Sequence, residues 1–276
     1  MINEIRPYTF KNEYRNIEPR KEDIALIYKD TDVLLKKYGD LISFPKISEL
    51  IDKDLKFEYR FLFTIDSINY FLIELKKIVL LDDFNFQSIS IFRNSSPKHL
   101  SFAGITGYQL YKWYEKNKYC GKCGTKMYHS LKSRTMVCPN CNDTRYPFLA
   151  PAVIVAIVNN DKILVTKYAH RKLSNYALVA GYAEIGESIE ETVMREVKEE
   201  VGLNVKNIKY YKSQPWSFSG SLLFGFFCEL DGSVEIILDE NELSMAKWIK
   251  KDEIKEDYSP LSLTSEMIQA FKGNRY

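Results

Sequence analysis

The sequence predicts an α+β N-terminal domain, a short cysteine-rich segment and a C-terminal domain of the α/β class. Two early runs, residues 56–66 and 70–75, alternate apolar and polar side chains in the manner of antiparallel strands. Four of the five cysteines form two close pairs in the middle of the chain. The remainder reads as strands, one long helix, further strands and a final helix near residues 261–272. The predicted boundaries are 1–115, 116–147 and 148–276.

The bulk composition indicates a folded protein without a strong electrostatic preference. Its 276 residues are 45% hydrophobic and 28% charged, with a formal net charge of +2, which does not favour nucleic acid as an obligate partner. The first ten residues lack the apolar core of a signal peptide. The longest apolar run, residues 147–158, is too short to span a bilayer and is typical of a buried strand. We therefore expect a cytoplasmic protein without a membrane partner.

The segment that leads into the cysteines is predicted to be a helix. Residues 104–117 carry aromatic and aliphatic side chains at helical spacing, and packing is the ordinary role of side chains in this pattern. The chain before this helix carries no recognisable catalytic signature, so its function is not predicted.

The paired cysteines predict a metal centre. The pairs are Cys120 with Cys123, and Cys138 with Cys141. Two such knuckles present four thiolates, the ligand set that Zn²⁺ prefers, and Gly124 suits the bend after the first pair. Because protein fills all four positions, we expect a structural zinc. A redox-active dithiol is the alternative, and the modest charge between the knuckles favours a scaffold over nucleic-acid binding. Cys228, in a strand-like run, is expected to be an inert buried thiol.

One helix carries most of the residues with chemical potential. Ser188 followed by Glu191 forms a capping box, which predicts the helix start, and Gly202 predicts its end. Its predicted buried stripe consists of Ile189, Val193, Val197 and Val201.

Three acids lie on this helix within an arc of about 100°. They are Glu196, Glu199 and Glu200, and Glu200 falls among the apolar positions. Like charges at this spacing repel, and burying a carboxylate costs still more, so a solvated acidic face explains the pattern poorly. A divalent cation would relieve both costs, and clustered carboxylates suit Mg²⁺ or Mn²⁺.

The spacing of Gly181, Glu187, the run Arg195-Glu196-Val197-Lys198-Glu199-Glu200 and Gly202-Leu203 resembles the Nudix box. The resemblance implies a Nudix domain, an α/β/α sandwich that hydrolyses a nucleoside diphosphate linked to another group. Metal neutralises the charge of such a pyrophosphate and activates a water.

The resemblance also implies roles for individual residues. Arg195 would pair with Glu187 and hold the loop before the helix, and Glu199 would be a further ligand or activate the water. The implied Mg²⁺ or Mn²⁺ contacts are Glu196, Glu200, the backbone carbonyl of Ala180 and, in the run NELSMAKW, Glu242.

The stretch SQPWSFSGS, residues 213–221, is similar to the SQPWPFPxS signature that follows the box in NADH pyrophosphatases. It departs at Ser217 and Ser219, where that family has prolines, and Phe148 replaces the arginine of the family's YPR. A four-cysteine segment directly before the Nudix domain is also typical of that family. The resemblance covers roughly residues 100–276 well and the N-terminal domain only by position.

This second resemblance implies a set of substrate contacts. Tyr146 and Tyr182 would sandwich one base, and polar and aromatic groups of the signature would line the pocket. The implied residues of the signature are Gln214, Pro215, Trp216, Ser217, Phe218, Ser219, Gly220 and Ser221. Thr264 and Arg93 are further candidates for substrate contact.

The expected activity is hydrolysis of the pyrophosphate of NADH to NMNH and AMP, with NAD⁺ and NAD-capped RNA as related substrates. Family members are homodimers, so the resemblance implies a homodimer. Two alternatives remain open. One is a Nudix hydrolase of another nucleotide, such as ADP-ribose or a dinucleoside polyphosphate, which the departures from the signature allow. The other is a non-catalytic sensor, which would have a broken box, whereas the run at 195–200 is intact.

Overall fold

The computed structural model describes residues 1–76, 81–169, 176–257 and 260–276, which form two compact units. The N-terminal unit comprises residues 2–148 with 217–219, and the C-terminal unit comprises Met1, 149–216 and 220–276. The cysteine segment thus shares a unit with the N-terminal segment, and a domain boundary between them near residue 115 stays a prediction.

The described residues of the N-terminal unit form three small sheets and two α-helices. Its elements are β1 (Phe10–Lys11), β2 (Ile24–Leu26), β3 (Tyr28–Lys29), β4 (Asp32–Tyr38), β5 (Leu41–Ser43), α1 (Ile47–Asp52), β6 (Phe57–Ile65), β7 (Ile68–Leu75), β8 (Asn85–Ser88), α2 (Lys98–Lys116), β9 (Tyr128–His129), β10 (Met136–Val137) and β11 (Thr144–Arg145). The first sheet has the order β1-β6-β7-β2, and its β6–β7 hairpin confirms the strands expected at 56–66 and 70–75. The second sheet is β3-β4-β5 with β8 on β4, and β11-β10-β9 forms the third in the cysteine segment.

Helix α2 confirms the helix expected over 104–117 but begins earlier, at Lys98, directly after Pro97. Its first turn is mostly polar, with Lys98, His99 and Ser101, whereas the buried Phe102 and Ala103 extend the apolar pattern to positions before the predicted start. Close packing explains two glycines inside the helix, because a Cβ at Gly104 would collide with Phe92 and one at Gly107 with the side chain of Leu26. The helix buries the aromatic side chains of Phe102, Tyr108, Tyr111 and Tyr114, and Trp113 is half-buried.

In its described ranges, the C-terminal unit is a mixed sheet between two α-helices. Its elements are β12 (Ala150–Asn159), β13 (Lys162–Tyr168), β14 (Val179–Tyr182), α3 (Ile189–Val201), β15 (Asn204–Trp216), β16 (Ser221–Asp231), β17 (Leu243–Lys250) and α4 (Leu263–Lys272). The strand order is β15-β16-β12-β13-β17, with β14 also paired to β12. Strand β12 is central and runs parallel to β16, which confirms a buried strand in the apolar run at 147–158.

The two faces of strand β12 belong to different cores. Val153 and Val155 lie in the core that contains Val193 and Val197 of α3, whereas the intervening Ile154 lies in the core that contains α4. Because successive strand residues point to opposite faces, a strand covered on both faces must be apolar throughout. The unit is therefore the α/β/α sandwich that the sequence predicted.

Among the described residues, no helix combines the length and the apolar character needed to cross a membrane.

Candidate active site and cysteine centre

Helix α3 positions the predicted metal-binding acids. The backbone N–H of Ser188 donates to the Glu191 carboxylate at 2.7 Å, and the N–H of Glu191 donates to Ser188 Oγ at 3.3 Å. Gly202 ends the helix with a φ of 71°, in the left-handed region that favours glycine. Val193 and Val197 are fully buried. Local signals and packing agree, and the predicted bounds of the helix are confirmed.

Glu196 and Glu200 lie on the buried side of α3, and Glu199 is exposed. Glu200 is only 2% exposed, and its Oε1 accepts the backbone N–H of Ala180 at 3.4 Å. Its Oε2 is buried without a hydrogen-bond partner. A buried carboxylate oxygen without a donor is costly, so this atom requires either a proton or a cation.

The pKa values of both buried acids are raised. Burial, reinforced by the charges of Glu196 and Glu242, raises the pKa of Glu200 to about 8. Burial also raises the pKa of Glu196, while the adjacent Arg195 opposes the shift. Without metal, Glu200 therefore carries a proton at neutral pH, in the position where a cation would neutralise the carboxylate.

Steric crowding explains the glycine at position 181 of the Nudix box. Gly181 on strand β14 pairs with Val153 on strand β12. The carboxylate of Glu196 lies directly over Gly181. A Cβ at position 181 would collide with that carboxylate. Any larger residue would displace Glu196 from the acidic cluster.

Arg195 connects the loop before α3 to the acids on the helix. Its Nε and Nη2 donate to the two carboxylate oxygens of Glu187 at 2.5 and 3.0 Å, which is the pair that the resemblance implied. Its Nη1 donates to Glu196 at 2.7 Å and to Glu199 at 2.8 Å. Nη2 also donates to the carbonyl of Tyr182 at 2.9 Å, a contact that the sequence did not predict.

Glu187 is held by several donors at once. Arg195 is the main cause that lowers its pKa to about 2, followed by the backbone N–H of Glu184, and the hydroxyl of Thr192 adds a third contact at 3.0 Å. The folded pKa of Glu187 lies below its ordinary value of 4.5. These contacts therefore stabilise the loop fully at a pH above 4.5, and the stabilisation is lost as the pH falls toward 2.

Two further acids approach α3 from the chain before strand β17. The charge of Glu242 raises the pKa of both Glu196 and Glu200, so it lies near them, in accord with the implied ligand set. Asp239 also raises the pKa of Glu200, and its backbone N–H donates to the Glu200 carbonyl at 3.0 Å. Asp239 carries no local signal in the sequence, because only the tertiary path of the chain beside the end of α3 brings it there.

The acidic cluster fits a divalent cation by its chemistry. Its members are carboxylates, the ligands of Mg²⁺ and Mn²⁺, and the unpartnered Glu200 Oε2 marks where positive charge is needed. Arg195 meanwhile engages Glu196 and Glu199. Within the described ranges, the four paired cysteines are the one group that brings three or more potential metal-ligand atoms within 4.8 Å of one another. The carboxylate oxygens of the acidic cluster are therefore more widely spaced than the cysteine sulfurs.

The SQPWSFSGS stretch is a hairpin. Trp216 ends strand β15 and pairs with Ser221, the first residue of β16. The turn between them closes with a bond from the N–H of Gly220 to the carbonyl of Trp216 at 3.1 Å, and Gly220 has a φ of 75°. Ser221 is buried, and its Oγ lies 3.2 Å from the hydroxyl of Tyr182. Tyr182 and Ser221, both expected at the substrate, thus lie together.

Gln214 is placed differently from the other signature residues. It is fully buried, its Nε2 donates to the carbonyl of Leu261 at 3.1 Å, and its Oε1 accepts the N–H of Leu263 at 2.7 Å. The side chain expected to line the pocket therefore binds the backbone at the start of α4. Thr264, in the first turn of that helix, is half-buried, and its contact with substrate stays a prediction.

The substrate candidates of the N-terminal unit lie at its surface or in the turn. The guanidinium of Arg93 lies 4.1 Å from the ring centre of Phe218, and Tyr146 is 69% exposed while its carbonyl accepts the indole N–H of Trp113 at 3.0 Å. Ser217 is buried, and Ser219 is exposed. A base sandwiched by Tyr146 stays a prediction.

The four paired cysteines form one centre. Their Sγ atoms lie within 4.8 Å of one another, with 3.6 Å between Cys120 and Cys141 and 3.4 Å between Cys123 and Cys138. Four sulfurs around a zinc at about 2.3 Å would lie about 3.8 Å apart, so these positions fit Zn²⁺. Cys228 lies apart in β16, where burial raises the pKa of its thiol to about 12, as expected for an inert residue.

Each knuckle ends in a left-handed residue. In the first, the N–H of Gly124 donates to the carbonyl of Cys120 at 2.8 Å, and Gly124 has a φ of 73°. In the second, the N–H of Asn142 donates to the carbonyl of Cys138 at 3.0 Å, with a φ of 57°. Gly124 was predicted from the sequence and Asn142 was not, although asparagine tolerates this conformation best after glycine.

Known proteins resemble the two parts of this chain. A family model described as NUDIX domain matches residues 148–269, and one described as NADH pyrophosphatase zinc ribbon domain matches residues 115–144. Over 163 residues the chain is 43% identical to NAD-capped RNA hydrolase NudC of Escherichia coli strains SMS-3-5 and ED1a. These matches cover 59% of this chain and 63% of each relative, less than two thirds of the relative's length.

A solved structure supports the fold. The crystal structure of a NUDIX hydrolase from Nitrosomonas europaea matches with a TM-score of 0.50 at 19% identity, covering 57% of this chain and 92% of that one. At this identity the likeness concerns the fold alone. The family matches fall on the four-sulfur centre and on the sandwich that carries the acidic cluster. The chain therefore contains a Nudix domain that follows an NADH pyrophosphatase zinc ribbon domain.

Proposed function

We propose that this protein hydrolyses the pyrophosphate bond of NADH, and of NAD⁺ and NAD-capped RNA, which share that bond. The products are NMNH or NMN with AMP, or with 5′-monophosphate RNA. The observation that carries the proposal is the buried, unpartnered Oε2 of Glu200 within an intact Nudix box. The hairpin signature and the relatives named NAD-capped RNA hydrolase support the choice of substrate.

The chain's own residues hold the site in place. Glu196 and Glu200, with Glu242 and the carbonyl of Ala180, would hold Mg²⁺ or Mn²⁺, which supplies charge neutralisation and an activated water. Arg195 fixes Glu196 and the loop at Glu187 by the hydrogen bonds described above. Glu199, the third acid of the helix, is exposed and can accept a proton from the attacking water.

The substrate lies, in this proposal, against the aromatic side chains near Ser221. Tyr182 is 51% exposed and available for stacking, while its hydroxyl is oriented by Ser221. Trp216 at the end of β15 supplies a second aromatic surface. The zinc is structural, and we further propose a cytoplasmic homodimer.

One assay tests the proposed activity. The protein is incubated with NADH, ADP-ribose or NAD-capped RNA and with Mg²⁺ or Mn²⁺, and the products are separated. We expect NMNH and AMP from NADH, with the highest kcat/KM on substrates that carry both bases. Preference for ADP-ribose would instead support the alternative Nudix activity, and no cleavage of any substrate would contradict the proposal.

Trp216→Ala tests the assignment of the hairpin to the substrate. A stacked base is worth about 1–3 kcal/mol, so kcat/KM for NADH should fall about 5- to 150-fold. The loss should be much smaller on ADP-ribose, which lacks the second base. Tyr210→Ala is the matched control, because it removes an exposed aromatic side chain from the same strand. An equal loss on both substrates would show that Trp216 supports the core or contacts the part they share.

Arg195→Lys tests the hydrogen bonds of the guanidinium apart from its charge. Lysine keeps the charge, but its single ammonium group cannot donate two hydrogen bonds to Glu187 and also donate to Glu196 and to the carbonyl of Tyr182. We expect kcat for NADH at saturating metal to fall about tenfold or more. Arg275→Lys serves as the control in the same unit. A kcat near that of the parent would remove the fixed geometry of Arg195 from the mechanism.

A further inference from the structure

Gln214 joins two parts of the proposed substrate site that are far apart in the chain. On one side it belongs to β15, two positions before Trp216 and paired with Leu223. On the other side its amide binds the backbone of Leu261 and Leu263, where helix α4 begins. We propose that Gln214 is a positioning residue, which sets the distance between the hairpin and Thr264, and that it does not itself touch the substrate. This inference rests on the proposed function.

The hydrogen bonds of Gln214 complete the start of helix α4. The first N–H groups of a helix have no partner inside it. Ser262 Oγ accepts the N–H of Ser265 at 3.3 Å, and Gln214 Oε1 accepts the N–H of Leu263 at the shorter distance of 2.7 Å. The first turn, which carries Thr264, is therefore anchored to the strand that carries Trp216.

Burial separates this amide from a typical ligand contact. Gln214 has no exposed surface, whereas its neighbours Pro215 and Trp216 are half-buried. Both polar ends of the amide already bind backbone groups, and breaking these bonds would leave buried partners unsatisfied. A substrate would have to displace internal hydrogen bonds to reach this side chain.

The neighbouring charges of β15 and α4 do not disturb this arrangement. Lys212, two positions earlier on β15, donates to Glu266 of α4 at 2.9 Å, and Tyr211 donates to the same carboxylate at 3.1 Å. The lysine and glutamate neutralise one another. They form a second link between strand and helix beside the amide, so losing Gln214 alone should shift the start of α4 without detaching the helix.

Gln214→Glu is the informative variant, because it has the same size and changes with pH. As a protonated acid it can donate to the Leu261 carbonyl and accept from the Leu263 N–H, as the amide does. As a carboxylate it loses the donor and faces a carbonyl oxygen, and burial disfavours its charge. The activity of the variant relative to the parent should therefore rise as the pH falls. Gln214→Met removes both polar atoms and should show no such recovery.

The kinetic test uses NAD⁺, which survives mildly acidic buffers, and compares each variant with the parent at every pH between 6 and 9. At pH 9 we expect KM for NAD⁺ to rise about 5- to 150-fold in Gln214→Glu, with kcat changed by less than about threefold. Gln269→Glu is the matched control, because its Nε2 also donates to a backbone carbonyl, that of Lys255 at 2.8 Å, from the other end of α4.

Amide hydrogen exchange of residues 260–268 supplies a readout that does not depend on activity. We expect faster exchange at the start of α4 in Gln214→Glu at high pH, with protection near that of the parent at pH 6. A raised KM with unchanged exchange would show that Gln214 contacts the substrate directly, and faster exchange with unchanged KM would reduce it to a stabilising residue; either result overturns the inference. A parent that cleaves neither NAD⁺ nor NADH contradicts the proposed function and this substrate role, while the exchange data still decide whether the anchor exists.

Discussion

Glu200→Gln is expected to reduce kcat for NADH by about 100-fold or more while the protein stays folded. The substitution removes one carboxylate from the acidic cluster and keeps the shape of the side chain. The buried oxygen without a partner at this position is where we propose that metal binds. Steady-state kinetics at saturating Mg²⁺ or Mn²⁺ measure the effect, and near-parent turnover would exclude Glu200 from the mechanism.

The same variant should be more stable than the parent when metal is removed. The folded pKa of Glu200 is raised to about 8 from an ordinary value of 4.5, so the folded state binds this proton more tightly than the unfolded state. The parent therefore loses stability as the pH rises from about 4.5 to about 8, and the glutamine variant avoids that loss. We expect a difference on the order of 1–3 kcal/mol at pH 8.5 without added Mg²⁺ or Mn²⁺, shrinking toward pH 5.

Two substitutions on the same helix provide the comparison. Glu199→Gln should also reduce turnover, but Glu199 is exposed, so the stability of the metal-free protein should hardly change. Glu190→Gln removes an exposed charge outside the cluster and should leave both properties near those of the parent. Equal stability changes in Glu199→Gln and Glu200→Gln would contradict the role of burial.

Cys138→Ser is expected to abolish stoichiometric zinc binding and to destabilise the N-terminal unit by several kcal/mol, because structural zinc contributes directly to folding. Metal analysis and thermal unfolding should change together. Cys228→Ala, which removes the buried cysteine outside the centre, should keep the zinc. Zinc retained in Cys138→Ser, or zinc lost without a change in stability, would contradict a structural role.

The destabilisation should spread beyond the zinc ribbon to the rest of its unit. Arg134, between the knuckles, donates to the carbonyl of Leu62 on β6 and to Asn12 at 2.9 Å. Tyr114 of α2 lies 3.2 Å from Nε2 of His129, whose pKa burial lowers to about 4, so the imidazole there is neutral. Hydrogen exchange should therefore accelerate in β6 and α2 as well, and exchange confined to the ribbon would show that these contacts carry little energy.

Local signals in the sequence predicted the centre of the site well. The capping box at Ser188, the stop at Gly202 and the valine stripe each depend on residues within a few positions, and the structure confirms all three. The four-sulfur centre followed from the cysteine spacing for the same reason.

Contacts between distant segments could not be predicted in this way. The anchor from Gln214 to the start of α4 and the approach of Asp239 to Glu200 depend on how strands and loops pass one another. Nothing in the local pattern distinguishes a buried amide that binds backbone from one that binds a ligand. The strand order of the sheets in the N-terminal unit was likewise not predicted, since short strands leave the order of pairing open.

The parallel pairing of β12 with β16 has a consequence for the order in which the Nudix domain folds. Partners such as Ala150 and Ser221 are separated by about 70 residues, so their pairing closes a long loop at a large entropic cost. Helix α3 belongs to the segment between these two strands, whereas the β15–β16 hairpin is closed by a short turn. During synthesis, the segment up to residue 148 is complete before β16 leaves the ribosome. We therefore expect the central sheet to close late, once the β15–β16 hairpin docks on β12.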